Sequence, residues 1–200
     1  MPAALALWRE TRERLYRDHA QSPVPAADRR TFRAVHFDHD PTLRFEAVVE
    51  EPDALPGLAT ETDGGRPSTA LGLTGFAAPL LDLPVSAGGA MSFRRFGTVA
   101  IPFPSGERRL DVYWMEGYAG GLFLPFRDAT NGRETYGAGR YLLDAAKSAD
   151  LGPGSSPRSL VLDFNFAFQP SCAFDPKWAC PLAPPANRLD LEVRAGERLP

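Results

Sequence analysis

Lysine, cysteine and histidine are all scarce in this chain of 200 residues, and each scarcity excludes a class of protein. Lys147 and Lys177 are the only lysines and the net charge is −3, so no basic footprint for nucleic acid or an anionic membrane exists. Two cysteines are too few for a disulfide-rich scaffold, and a chain of this length buries about 70% of its unfolded surface without one. His36 and His39 would face opposite ways on a strand, so no metal site is predicted.

Long apolar runs are also lacking. No run approaches the roughly 18 residues that are needed to span a bilayer. The apolar residues 3–8 have no basic residues before them and form too short a stretch for a secretory signal peptide. We therefore expect a cytoplasmic protein without a membrane partner.

Proline, glycine and phenylalanine are abundant, and together they favour a β protein. The chain has 20 Pro, 18 Gly and 13 Phe, which is typical of short segments broken by turns around an aromatic core. The first twenty residues are an exception. Leu5, Trp8 and Leu15 recur there at near-helical spacing, and charged residues that include Arg12 cover the other face. This pattern predicts a helix that Trp8 docks on a sheet.

Alternation of apolar and polar residues with period two predicts β strands along the rest of the chain. The clearest are 43–50, 99–103, 109–114 and 160–166, and weaker ones are 32–37, 69–73, 122–126, 141–143 and 189–193. Residues 51–92 as a whole have a poorer pattern. Turn residues separate the strands and no helical segments alternate with them, which favours an antiparallel β-barrel or two-sheet sandwich. We predict a single domain over residues 1–200, with the helix at 1–20 packed on a β-rich body at 30–200.

The second half of the chain carries an ordered series of distinctive motifs. They are LFLPFRDATNG (122–132), ETYGAGRYL (134–142), DFNFAF (163–168), PSCAF (170–174), CPLAPP (180–185), NRL (187–189) and AGE (195–197). The series resembles the bacterial domain of unknown function 1684 family, over roughly the C-terminal 80 residues. The resemblance implies a fold and a site region within these motifs. It implies no activity, because the family has none that we can name.

Asp163 and Asn165 are the first polar candidates. They are two apart on a predicted strand, so their side chains share one face while the neighbouring apolar residues point to the other. They could belong to a polar site, or they could end the strand by bonding turn amides, as Asx residues often do. The sequence leaves both interpretations open.

A glycine-rich turn at 132–139 supplies the second group of candidates. Arg140 could grip a carboxylate or phosphate, and Glu134 or Tyr136 could act as a general acid or base. A buried ion pair of Arg140 that locks two strands is the favoured alternative. The sequence predicts that five of these side chains meet at one polar site, and Asn187 is a further ligand-binding candidate. The five are Glu134, Tyr136, Arg140, Asp163 and Asn165.

Cys172 and Cys180 enclose a seven-residue loop rich in proline and aromatic residues. A disulfide closing this loop would contribute about 2.5 kcal/mol by the chain-entropy estimate, although a reducing cytoplasm opposes it. We rank a disulfide or close thiol pair first and two packed, reduced thiols second. A metal site comes last, because the spacing is too wide for a zinc knuckle and no histidine is near.

The function predicted from these features is the binding of a small polar or anionic molecule, in a pocket built by segments 128–141 and 163–188. Whether catalysis accompanies binding stays open, and no cofactor is predicted. The alternative is a protein-interaction module that packs the loop 172–185 on a partner. That alternative requires an exposed apolar patch around Phe174 and Trp178.

Overall fold

The computed structural model describes residues 1–50, 78, 80–115, 121–144 and 149–200. In these ranges an α-helix precedes nine β-strands, and four 3-10 helices of three residues lie between them. The elements are α1 (Ala3–Asp18), β1 (Val35–His36), β2 (Arg44–Glu50), β3 (Leu80–Pro84), β4 (Ala90–Phe103), β5 (Gly106–Met115), β6 (Leu122–Phe126), β7 (Arg140–Asp144), β8 (Ser159–Asp163) and β9 (Glu197–Arg198), with 3-10 helices at Pro41–Leu43, Phe164–Phe166, Ser171–Ala173 and Pro185–Asn187.

Helix α1 contains no proline and buries one face against the β-rich body. Leu5, Arg12 and Tyr16 are the buried residues of that face. The expectation that Arg12 lies on the charged outer side is wrong. Arg12 is only 5% exposed. Its buried charge is paired, because Arg12 Nε donates a hydrogen bond of 2.7 Å to Glu197 Oε1 in β9. No helix in the described ranges is long and apolar enough to cross a membrane.

The strands form two antiparallel sheets. Seven strands make a curled sheet in the order β7-β6-β5-β4-β2-β8, with β3 also paired to β4, and β1 and β9 make a second sheet of two strands. The larger sheet forms a half-barrel, so the predicted mostly β fold with an N-terminal helix is confirmed. Its longest strand, β4, is bulged between Arg95 and Gly97, and a bulge of this kind bends a strand and increases its twist.

Several local predictions differ from the structure. Strand β3 lies within the stretch 51–92 that has a poor pattern, and residues 189–193 form no strand. The chain leaves β8 at Asp163 and turns into a 3-10 helix, so Asn165 does not lie on a strand. The predicted strand at 69–73 falls outside the described residues.

Both faces of strands β6 and β7 are buried, so these strands show no polar alternation. Leu124 and Phe126 of β6 join a large core with residues of β2, β4, β5 and β8. Phe123 points to the opposite face, into a smaller cluster that includes Tyr141 and Phe168. Trp8 of α1 packs against that smaller cluster, as its predicted docking role requires. The smaller cluster is where the sheet borders a cavity.

Candidate functional site

Arg140, at the start of β7, is fully buried and completely surrounded by protein. Its guanidinium donates to Asp128 Oδ2 at 2.6 Å and to the carbonyl oxygens of Val193, Ala195 and Glu197. One side chain therefore fixes the start of the turn 128–139 and the extended segment that ends in β9. With no exposed surface, Arg140 has the geometry of the buried ion-pair lock, and it offers no atom to a ligand.

The Asp128 carboxylate also binds the backbone of the turn. Its Oδ1 accepts a hydrogen bond of 2.6 Å from Thr130 N, while Asp128 N donates to Asn131 Oδ1 at 2.7 Å. Gly139 closes the turn with φ +107°, where a Cβ atom would lie 2.5 Å from Phe126 O. Only glycine fits this position, because both the backbone angle and the space exclude a side chain.

The same turn holds Tyr136 by its backbone. Tyr136 N donates to Gln169 Oε1 at 3.0 Å, and its carbonyl accepts from Asn131 Nδ2 and Gly139 N, each at 3.0 Å. The backbone is therefore fixed, and the half-buried Tyr136 side chain hydrogen-bonds the thiol of Cys172.

The other polar candidates bind protein groups. Asp163 Oδ1 accepts from Asn165 N at 3.0 Å and so caps the 3-10 helix, and Asn165 Nδ2 donates to Asp40 O at 2.7 Å. This arrangement is the turn-bonding interpretation of the pair. Glu134 forms an exposed ion pair with Arg194 at 3.0 Å.

Asn187 ties the chain to the sheet with three hydrogen bonds. Its Oδ1 accepts from Asp111 N at 2.8 Å, and its Nδ2 donates to Asp111 O at 2.8 Å and Pro125 O at 2.7 Å. The side chain is fully buried and links β5 with β6. In this position Asn187 replaces a missing strand partner and does not face a cavity.

Cys172 and Cys180 lie side by side as two unlinked, buried thiols. Cys172 N donates a hydrogen bond of 3.2 Å to Cys180 Sγ, and the two thiols hydrogen-bond each other. Ser86, at the turn after β3, completes the surroundings: its Oγ accepts from Cys180 N at 3.0 Å and also reaches the Cys172 thiol. We call Cys172, Cys180, Tyr136 and Ser86 the thiol site.

The hydrogen bonds of the thiol site favour a thiolate. Those from Cys180, Ser86 and Tyr136 lower the pKa of Cys172 to about 6, against the opposing effect of burial. Burial and the bond to Cys172 raise the pKa of Tyr136 to about 12, so the phenol stays protonated and donates. A lowered pKa favours the thiolate of Cys172, which is the nucleophilic form of cysteine.

The thiol site borders a cavity of about 340 Å³, because Cys180 belongs to its lining. Strand residues Met91, Met115 and Phe123 also line this cavity, as does Trp178. Tyr141 and the buried Asp144 of β7 add a hydroxyl and a carboxylate to the lining. The volume lies within the range of about 300–1,000 Å³ that small-molecule pockets occupy.

The extended segment that contains Cys180 pairs with the end of β3. Val85 and Pro181 form an antiparallel bridge, Ser86 N donates to Cys180 O at 2.9 Å, and Leu182 N donates to Pro84 O at 2.8 Å. Tyr141 Oη donates to Pro181 O at 2.7 Å from the other side. Cys180 is thus held by backbone hydrogen bonds on a rigid edge.

A second cavity of about 220 Å³ lies between Phe32, Phe174 and Arg198. The buried carboxylate at its edge, Glu197, already accepts hydrogen bonds from Arg12, Tyr16 and Gln169 N. Although Arg33 and Arg198 also line this cavity, its lining exposes less polar surface than that of the cavity beside the thiol site.

Comparison with known proteins identifies the family. The model of the family described as "Protein of unknown function (DUF1684)" matches residues 30–198. The chain belongs to this family. The match extends well beyond the C-terminal 80 residues that carry the recognisable motifs, because it includes β2 to β5.

The structural comparison agrees with this assignment. The solution NMR structure of an uncharacterized protein from Haloarcula marismortui is similar with a TM-score of 0.66 and 28% identity, over 98% of this chain and 92% of that chain. Among curated proteins, none matches the chain. The family and its structural neighbour therefore give a fold without an activity.

The predicted pocket segments 128–141 and 163–188 contain the thiols, Tyr136 and part of the cavity lining, including Tyr141 and Trp178. They do not contain Asp144, which ends the short strand that begins with Arg140. Met91, Met115 and Ser86 lie in segments without any distinctive motif. Their proximity depends on the pairing of β3, β4 and β5, which no local pattern reports.

Proposed function

We propose that this DUF1684 protein binds a small, mainly apolar molecule in the 340 Å³ cavity beside the thiol site. The observation that carries the proposal is a lining with aromatic and thioether side chains and a few polar residues, among them Tyr141 and Asp144. An apolar cavity with few polar groups is the usual form of a small-molecule site. Methionine side chains adapt to irregular ligands, and Met91 and Met115 provide two.

The charge of the lining favours a neutral or cationic ligand over the anion expected from the sequence. Asp144 is the ionisable carboxylate of this cavity, and the described lining includes no Arg, Lys or His. Arg140, the anion-binding candidate, is paired with Asp128 and has no exposed surface. The described lining therefore offers no cation to a negatively charged ligand.

The alternative, a protein-interaction loop at 172–185, has less support. Phe174 packs on Tyr16 and Phe32 with ring centroids at 5.0 and 5.6 Å, and Trp178 Nε1 donates to Pro23 O at 3.3 Å. Both aromatic side chains are half-buried, which reduces the apolar patch that this alternative requires.

Ligand-observed NMR with three probes of one ring system tests the proposal. We expect 2-naphthylmethylamine and 2-naphthalenemethanol to bind and 2-naphthylacetate not to bind, because the described lining offers no cation to the carboxylate of the acid. Ala179→Trp fills the cavity and should abolish binding. Ala186→Trp, at an exposed alanine away from the cavity, is the matched control and should retain it. Binding that survives Ala179→Trp, or preference for the acid, would contradict the proposal.

Native mass spectrometry of the freshly purified protein supplies a second readout. A molecule that co-purifies with the wild type and with Ala186→Trp, but not with Ala179→Trp, would identify the natural ligand. The same molecule on all three forms would mean that it binds elsewhere.

A further inference from the structure

We propose that Cys172 and Cys180 form an oxidation site, at which a small hydroperoxide oxidises Cys172 and Cys180 then closes an intramolecular disulfide. The disulfide would be a reversible modification of the protein. The inference does not depend on ligand binding in the cavity, since it rests on the arrangement of the thiol site alone.

The two sulfur atoms are already arranged for this reaction. Cys172 N lies 3.2 Å from Cys180 Sγ and the thiols hydrogen-bond each other, yet no covalent bond joins them. The 3-10 helix at Ser171–Ala173 holds Cys172, and the bridge between Val85 and Pro181 holds the segment of Cys180. A resolving thiol held next to the attacked one is the usual design of an oxidation-sensitive pair.

Hydroxyl groups around Cys172 prepare it as the attacking sulfur. Tyr136 and Ser86 lie beside its thiol and lower its pKa, which favours the thiolate. Ser86 has one hydroxyl hydrogen, which it can give to Trp178 O at 2.9 Å or to the sulfur. Two thiols that served only as packing groups would not need this polar shell, because buried cysteine packs well as a small apolar side chain.

Access to the pair is limited but sufficient for a small oxidant. Cys172 and Cys180 keep 6% and 5% of their surface exposed, and Cys180 lines the cavity. A molecule the size of hydrogen peroxide needs little more room than a water molecule. Larger disulfides such as oxidised glutathione would be excluded.

The reaction balances in two steps. The Cys172 thiolate attacks one oxygen of the hydroperoxide, the O–O bond breaks, and an alkoxide or hydroxide leaves and takes up a proton. Cys172 is then a sulfenic acid. The Cys180 sulfur attacks the Cys172 sulfur, the S–O bond breaks, and water leaves with the Cys180 proton. Overall two thiols are oxidised to a disulfide, and the hydroperoxide is reduced to an alcohol, or to water, plus a water molecule.

Intact-mass spectrometry after exposure of the reduced protein to hydrogen peroxide tests the proposal. We expect the folded wild type to lose two hydrogen masses and to regain them with dithiothreitol. Cys180→Ser should stop at the sulfenic acid and accept dimedone at Cys172. Cys172→Ser is the matched control and should accept no dimedone at Cys180. Dimedone on Cys180 but not on Cys172, or a wild type that keeps both thiols, would overturn the proposal.

The rate at low pH distinguishes a prepared thiolate from an ordinary thiol. At pH 5.5 a thiol with a pKa of about 6 is ionised to a much larger extent than a thiol with a pKa of 9.0, although its thiolate is less nucleophilic. Together these two effects predict that Cys172 is oxidised about 30-fold faster in the folded protein than in urea. Tyr136→Phe should reduce this ratio, while Tyr113→Phe, whose hydroxyl bonds Asp111, should not. A folded rate equal to or below the unfolded rate would overturn the assignment.

Discussion

The interior of this protein has two kinds of polar centre, and they differ in the groups that interact there. At Arg140 the guanidinium meets Asp128 and three carbonyl oxygens, and the whole group is sealed from solvent. At the thiol site the neighbouring polar groups lower the pKa of a cysteine sulfur beside a cavity. The first arrangement holds the chain together, whereas the second prepares a group to react.

This difference separates structural from functional residues within one family signature. Arg140, Asn165 and Asn187 each bind backbone groups of distant segments, and Asp163 caps the neighbouring 3-10 helix, so their replacement should first affect folding. Tyr136 binds a thiol and should affect reactivity. We therefore expect a polar residue of these motifs to have a functional role where its partner is a reactive group or a cavity.

The largest effect should follow the loss of Arg140. We expect Arg140→Ala to lower the free energy of unfolding by about 3–5 kcal/mol, because it leaves the Asp128 carboxylate buried without its partner. Arg133→Ala removes an exposed pair with Glu192 and should cost about 1 kcal/mol or less. Urea denaturation measures both. Equal losses for the two variants would remove the distinction between a sealed and an exposed pair.

Asn187 should rank second. Asn187→Ala leaves three hydrogen-bonding groups of Asp111 and Pro125 without a partner, and we expect a loss of about 2–3 kcal/mol. Arg188→Ala changes the exposed neighbour and should be nearly neutral. Thermal unfolding followed by circular dichroism compares them. If Asn187→Ala were as stable as the control, Asn187 would regain its candidacy as a ligand-binding residue.

Acid should weaken the contact between α1 and β9. Burial would raise the pKa of Glu197, but Arg12, Gln169 N and Tyr16 hold it below its ordinary value of 4.5. A lowered folded pKa means that the carboxylate stabilises the fold above pH 4.5, and that this contribution is lost as pH falls from 4.5 through the folded pKa. Urea midpoints from pH 7 to pH 3 should therefore fall less steeply in Glu197→Gln than in wild type or Glu10→Gln. Parallel curves would contradict this.

The smallest change in stability should come from Tyr136→Phe. The phenol is half-buried and its backbone is held independently by Gln169 and Asn131, so we expect a loss of about 1 kcal/mol or less. The comparison predicts a small stability change with a clear change in thiol reactivity. A loss of unfolding free energy as large as that of Arg140→Ala would mean that Tyr136 mainly stabilises the fold.

The fold class could be predicted because composition and period two act along the whole chain. Helix α1 and strands β2, β5 and β8 are largely local patterns, and the structure contains them close to their predicted bounds. Strand β3 was missed because its pairing with β4, rather than its own pattern, makes it a strand. The burial of Arg12 was missed for the same reason: its partner, Glu197, is 185 residues away.

The candidate site was only partly predictable. Cys172 and Cys180 enclose a short loop, so their proximity follows from spacing. The proximity of Tyr136 and Ser86 requires the turn 128–139 and the end of β3 to meet there, which depends on the whole sheet. The proposed meeting of Arg140 with Asp163 remains a prediction, and the carboxylate that the structure pairs with Arg140 is Asp128.

The pH dependence of cysteine alkylation in the folded protein tests the central claim most directly. The claim is that the thiol site is prepared for reaction while the other signature residues hold the fold. Iodoacetamide labelling, with peptide mapping to tell Cys172 from Cys180, should show Cys172 reacting with a midpoint near pH 6, in line with its pKa of about 6. A midpoint near 9, or labelling of Cys172 only after unfolding, would contradict the account.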